Sequence, residues 1–154
     1  MDWDTFLAEA TDVFVAKNTD YDSRFTRALV AYQAQRGYEA ARTIWAWEVE
    51  KKLDRLRSWV KRGELLVKDE GVRNSVVDAF NYTVQFSLFV NCLHQRVNDP
   101  VASLTEATFY ALAAKFKPYD WLDYWVTEKL LDPGDVIDAQ VMQLLLEEMT
   151  GAPF

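Results

Sequence analysis

The sequence holds one cysteine, one histidine, five glycines and four prolines, and its 17 Lys and Arg are outnumbered by 24 Asp and Glu. A lone Cys92 excludes an internal disulfide and any metal site built from several thiolates. Inside an apolar helical pattern it acts as a small hydrophobe. That cysteine usage fits a reducing compartment, so a cytoplasmic protein is expected, the host cytoplasm if the chain is phage-encoded. His94 cannot form a dyad with Cys92, because side chains two apart on a helix face different directions. A core or interface histidine is expected instead.

The scarcity of glycine and proline, and the lack of alternating apolar and polar runs between turn residues, exclude a β architecture. No apolar run approaches the roughly 18 residues of a membrane span, and the opening MDWDTFLAEA carries acid where a signal peptide needs positive charge. No membrane association is expected. A net charge of -7 argues against bulk binding of DNA or RNA, which calls for a basic stripe. An acidic surface serves solubility, or mimics nucleic acid towards a basic partner.

What remains is rich in core-forming residues: half of the chain is hydrophobic and 14% aromatic, with six Trp and nine Phe, well clear of disordered compositions. The periodicity predicts an all-α bundle of about six or seven helices, with residues 1–98 as the core and 99–154 as a helical extension packed on it, together one domain. A first helix runs from about Trp3 to Lys17 and breaks at KNTDYD. A second, over RFTRALVAYQAQ, is capped by Asp22 or Ser23 and stopped by Gly37. The third spans about Tyr38 to Arg62, with Trp45, Val49, Leu53 and Leu56 on one stripe and Gly63 at its end. The fourth, about Gly71 to Val97, is apolar over most of its circumference. Ser103 and Glu106 form a capping-box pattern for a helix through Lys115, Pro118 opens one through Leu131, and Asp132 with Pro133 starts the last. The aromatic run YDWLDYW (119–125) reads as packing between late helices, or as a partner surface if exposed.

The fourth helix poses the functional question. At 100 degrees per residue Asn74, Asp78, Asn81 and Gln85 fall within one narrow sector of an otherwise apolar helix. A carboxylate buried there needs a cation, a metal or several donors. The third helix supplies candidates: Lys52 projects into its apolar stripe, Glu48 and Arg55 lie along one edge, and Glu50 with Asp54 occupies the opposite margin. Lys and Arg neutralise phosphate oxygens, while Glu48, Glu50 and Asp78 would hold Mg²⁺ against the same oxygens and orient a water. Under the plainer alternative, Asp78 and Lys52 or Arg55 form a structural bridge, and Asn81 fills leftover hydrogen bonds. KNTDYD is either a plain turn or a loop that closes over a base and phosphate.

The runs KNTDYD (17–22), WEVEKKLDRL (47–56) and KDEGVRNSVVDAFNY (68–82) resemble the phage and bacterial nucleotide modification-associated domain family, across roughly residues 5–95. The first matches its K-x-x-D-Y element and the second its K-x-x-R-L helix. The resemblance implicates Lys17, Asp20 and Tyr21, then Lys52, Arg55 and Leu56, then Asp69, Glu70, Asp78 and Tyr82. The chain differs from the family's pattern at Ser75, Val76, Phe80 and Asn81. A more distant likeness is to the all-α nucleoside triphosphate pyrophosphohydrolases, which hold Mg²⁺ on paired helices. Here Glu50 precedes Asp54, and Asn81 stands where an Asp is usual.

The resulting expectation is a nucleotide-binding protein, as a Mg²⁺-dependent phosphohydrolase or a nucleotide-modification factor. Asp78 and Glu48 are its candidate catalytic groups. Lys17, Asp20, Tyr21, Lys52, Arg55, Asn81 and Tyr82 contact the nucleotide, and Glu48, Glu50 and Asp78 hold the metal. The alternative is a non-catalytic acidic protein that binds or inhibits a host enzyme through its aromatic C-terminal third. A homodimer is expected, since apolar helical bundles often pair.

Overall fold

Local signals account for most of the helix boundaries in this computed structural model, which describes residues 2–65 and 71–151. Eight helices follow in order: α1 (Trp3–Asp20), α2 (Arg24–Arg36), α3 (Tyr38–Arg62), α4 (Val72–His94), α5 (Pro100–Ser103), α6 (Glu106–Lys115), α7 (Pro118–Thr127) and α8 (Val136–Thr150). The described residues contain no strand, as the periodicity predicts. None of these helices is long and apolar enough to cross a membrane.

The third helix matches its prediction at both ends, with Gly63 taking the left-handed conformation that closes it. Departures occur where a cap competes with a neighbour. The capping box opening α6 is formed by Thr105 and Thr108, not Ser103 and Glu106. Asp99 accepts from Ala102 N, Pro100 follows it, and Ser103 is drawn into the separate short α5. α7 ends at Thr127, short of Leu131, because the chain turns at Lys129 with φ 65°. Asp135 rather than Asp132 caps α8 by accepting from Asp138 N, while Asp132 holds the preceding turn through Gly134 N. The first helix continues to Asp20, so Lys17 stands on a helix and not in a loop.

α4 runs through the centre. Every residue from Ser75 to Phe86 except Tyr82 is buried, so α1, α3, α6 and α8 all pack around it. Trp45 stacks on Phe86 with centroids 4.7 Å apart, Phe6 meets Phe80 edge-on at 5.1 Å, and Phe14 stacks on Phe109 at 4.2 Å. Burying indoles requires partners for their N–H groups. Thr83 supplies them: its hydroxyl accepts from Trp45 Nε1 at 3.3 Å and from Trp125 Nε1 at 2.8 Å, and donates to Ala79 O.

Residues from the predicted extension pack on this core, as expected, and share its apolar cluster. One apolar cluster runs from Phe6 to Met149. Ionic contacts fasten it from outside. Arg57 donates to Asp138 Oδ1 at 2.8 Å, to Glu50 and Asp54, and to Leu130 O, tying α3 to α8 and the turn before it. Burial opposes ionisation of Asp138, yet hydrogen bonds from Arg57 and from the Asp132 N–H hold its carboxyl below the usual range. Arg73 on α4 joins Glu9 of α1 to Glu148 of α8. Both tryptophans of YDWLDYW turn inward with Leu122, while Tyr119, Asp120 and Asp123 are exposed, which favours its reading as packing.

Candidate functional site

The aligned polar residues of α4 open onto a cavity of about 1010 Å³ walled by α1, α2, α3 and α4. Asn74, Asp78, Asn81 and Gln85 all line it, so the narrow sector read from helical periodicity is the face that α4 presents to the opening. α1 brings Lys17 and the turn after it Tyr21 to the wall, α2 brings Arg24, Phe25 and Tyr32, and α3 brings Trp47, Glu48, Lys51 and Lys52.

Asp78 is the centre of charge. Lys17 Nζ lies 2.8 Å from its Oδ1 and Lys52 Nζ 3.3 Å from its Oδ2, so each carboxylate oxygen has an ammonium partner. The two lysines differ in environment. The Lys52 side chain is 20% exposed and that of Lys17 is 54% exposed. Water screens an exposed ion pair to about 0–1 kcal/mol, so its greater exposure makes the Lys17 contact the looser of the two, although it is a 2.8 Å hydrogen bond. Lys17 is therefore the cation that an incoming anion most easily recruits.

Glu48 occupies a second position on the wall, 3.1 Å from Lys51 Nζ one turn away. The Tyr82 phenol, from α4, lines the same cavity within the field of that carboxylate. Burial, then the charges of Glu48 and Asp78, push the Tyr82 phenol up to about 12, which keeps it a neutral hydrogen-bond donor across the physiological range. Its ring packs edge-on against Phe25 with centroids 4.8 Å apart, closing α2 against α4 beneath the cavity.

Other predicted residues are placed elsewhere. Glu50 faces away from Asp78, into the Arg57 cluster, because it lies on the opposite margin of α3. Arg55 directs Nε to Ser75 Oγ at 3.3 Å in the first turn of α4 and does not line the cavity. Asp20 is exposed at the end of α1, off the wall. Asn81 lines the cavity, but its amide donates to Ala10 O at 2.9 Å and so anchors α4 to α1. Leu56 is buried in the core. His94 is exposed at the end of α4, which excludes the core half of the core-or-interface expectation. Asp69 and Glu70 lie outside the described residues.

Sequence reasoning missed Trp47, Arg24 and Lys51 as wall residues. Trp47 is 68% exposed and Tyr21 63% exposed, two large rings left in water at the cavity's edge. A signal for Trp47 existed: it is an aromatic on the polar side of α3, off the Trp45 stripe. Nothing local distinguishes Arg24 or Lys51 from solvated charges.

The described donors do not fit Mg²⁺. That ion takes oxygen ligands in a near-ideal octahedron, usually with one or two carboxylates free to face it. Both oxygens of Asp78 are engaged by lysines, Glu50 is turned away, and no group of three or more His, Cys, Asp or Glu among the described residues is placed to hold a metal ion. Compared with protein-family models, curated proteins and solved structures, the chain matches none.

Proposed function

We propose that this protein binds a nucleotide, or a closely related phosphorylated ring compound, in the cavity between α1, α2, α3 and α4. One observation supports this above the rest. A chain of net charge -7 gathers four cations, Lys17, Arg24, Lys51 and Lys52, on one concave wall bordered by exposed aromatic rings. Cations within a cleft attract and hold phosphate oxygens, and Tyr21 or Trp47 offers a face on which a base stacks. The motif resemblance through Lys17, Tyr21, Lys52, Asp78 and Tyr82 points to the same ligand class.

In this reading Lys17 and Lys52 contact the phosphate, and Asp78 holds them in place as a counter-ion while the cavity is empty. Glu48 and Tyr82 form a polar pair on the neighbouring wall and orient the ring or sugar. No hydrolytic step is assigned to Asp78, since two ammonium groups occupy its oxygens.

A thermal-shift panel of nucleosides, nucleotides and inorganic phosphate tests the proposal. Ligand at a hundred times its Kd stabilises the native state by about 2.7 kcal/mol, an easily measured rise in Tm for a chain of this size. A nucleotide should raise Tm, and Trp47→Ala should reduce the effect without lowering the unliganded Tm. If no compound moves Tm, the nucleotide reading fails. The competing reading of a protein-binding factor would then rest on the exposed Tyr110, Phe116 and Tyr119.

A further inference from the structure

The charges around the cavity define the ligand more narrowly, given the nucleotide reading above. Its wall carries the four cations and three carboxylates, Glu9, Glu48 and Asp78. Glu9 is met from behind by Arg73, whose Nη2 lies 2.6 Å from Glu9 Oε2, but Arg73 also holds Glu148 at 3.0 Å. With Arg73 and Glu148 counted, five cations face four carboxylates, and among these described residues one positive charge remains unbalanced. A phosphate monoester carries about -1.5 to -2 near neutral pH. The surplus thus offsets more of the charge of a single phosphate group than of a triphosphate. A triphosphate carries considerably more and ordinarily brings Mg²⁺ to offset the difference.

The same wall offers no described carboxylate placed to receive that Mg²⁺. Asp78 Oδ1 and Oδ2 face Lys17 and Lys52, and Glu48 is met by Lys51. Glu50, the third candidate, belongs to the Arg57 cluster on the far side of α3. From this charge balance we infer that the cavity is built for a nucleoside monophosphate taken without a metal ion, in preference to a metal-bound triphosphate.

Binding follows a simple exchange. Lys17, the more exposed lysine, leaves Asp78 Oδ1 for the phosphate, while Lys52 bridges phosphate and Asp78 Oδ2. No covalent bond forms or breaks. Asp78 thereby sets the preference: it subtracts one charge from a site that would otherwise carry two.

Isothermal titration calorimetry on the full chain tests the inference with matched mono- and triphosphates of each base and the parent nucleosides, in EDTA and in MgCl₂. In EDTA the monophosphate should bind about tenfold tighter than either its nucleoside or its triphosphate, with MgCl₂ changing its Kd by less than about threefold. Asp78→Asn should then tighten the metal-free triphosphate by about tenfold, whereas loss of a metal ligand would weaken a Mg²⁺-triphosphate. Lys17→Met, at a half-exposed position, provides a second variant: it should weaken monophosphate binding about tenfold while leaving Tm near the parent value.

Triphosphate binding that is tighter than monophosphate and requires Mg²⁺ would overturn the inference and leave the nucleotide reading standing. Absence of heat and of Trp47 fluorescence change with every compound would overturn both. Inorganic phosphate binding as tightly as the nucleotide would overturn both as well, since the ring would then contribute nothing.

Discussion

Tyr82 shows how one position can be both structural and poised for a ligand. Its ring packs on Phe25 while its phenol stands within the field of Glu48 and Asp78. Because burial and two nearby carboxylates raise its pKa from 10.0 to about 12, the unfolded state loses this proton at a lower pH than the native state does. The native state thus binds more protons between those values, and stability must fall as pH rises through the window. Below pH 10 the contribution is fully present. Chemical denaturation at pH 9, 10 and 11 should show this decline, and Tyr82→Phe should make it shallower. An unchanged slope would mean that the phenol is not held away from water. Asp78 was conspicuous in the sequence because a carboxylate in an apolar helix demands a partner. Lys52 was readable as that partner from α3 periodicity. The second, Lys17, lies 61 residues from Asp78, and its pairing is visible only once α1 is laid beside α4.

At the scale of elements, α2 is held by unusual backbone at both ends. Asp22 and Ser23 before it have φ of 50° and 55°, a left-handed conformation that costs an ordinary side chain roughly 1–2 kcal/mol. Gly37 after it has φ 89° and ψ -179°, a region open essentially only to glycine. These two ends predict opposite outcomes. Ser23→Gly should stabilise the protein by about 0.5–1 kcal/mol, relief of strain being partly offset by unfolded-chain entropy. Gly37→Ala should destabilise it by about 1–3 kcal/mol through backbone strain alone, since a Cβ there meets nothing within 4 Å. Urea denaturation of both variants checks the signs. Gly37 as a helix stop was legible in the sequence. Ser23 was expected to cap α2 with its side chain and makes no such bond. Lys17 to Asp20 of the polar KNTDYD instead form the last turn of α1, and the break falls after them.

At the scale of the molecule, the division into a core of 1–98 and an appended 99–154 does not describe how the apolar surface is buried. Phe109 stacks on Phe14, Trp125 shares the Thr83 hydroxyl with Trp45, and Leu145 and Met149 are fully buried in the common cluster. Losing one buried Phe or Trp side chain costs about 3–5 kcal/mol, and a whole domain has a margin of about 5–15 kcal/mol. A fragment of residues 1–98 should therefore fail to fold cooperatively, with collapsed amide dispersion in its NMR spectrum and no sharp thermal transition. A sharp transition in that fragment would show that the C-terminal helices are dispensable to the core.

Helical class, the course of α3, the central position of α4 and the common direction of Asn74, Asp78, Asn81 and Gln85 were all determined by the sequence itself. Each follows from the 3.6-residue period and from the cost of burying a polar group without a partner. Tertiary structure alone decided which charges meet. Glu50 and Glu48 are two residues apart, yet one joins Arg57 and the other the cavity, because the rotation between them sends their side chains towards different neighbouring helices. Arg24, Lys51 and Trp47 became wall residues only when α1, α2, α3 and α4 enclosed a common space. A surface charge carries no local mark of what it will face, since its partner comes from a distant part of the chain.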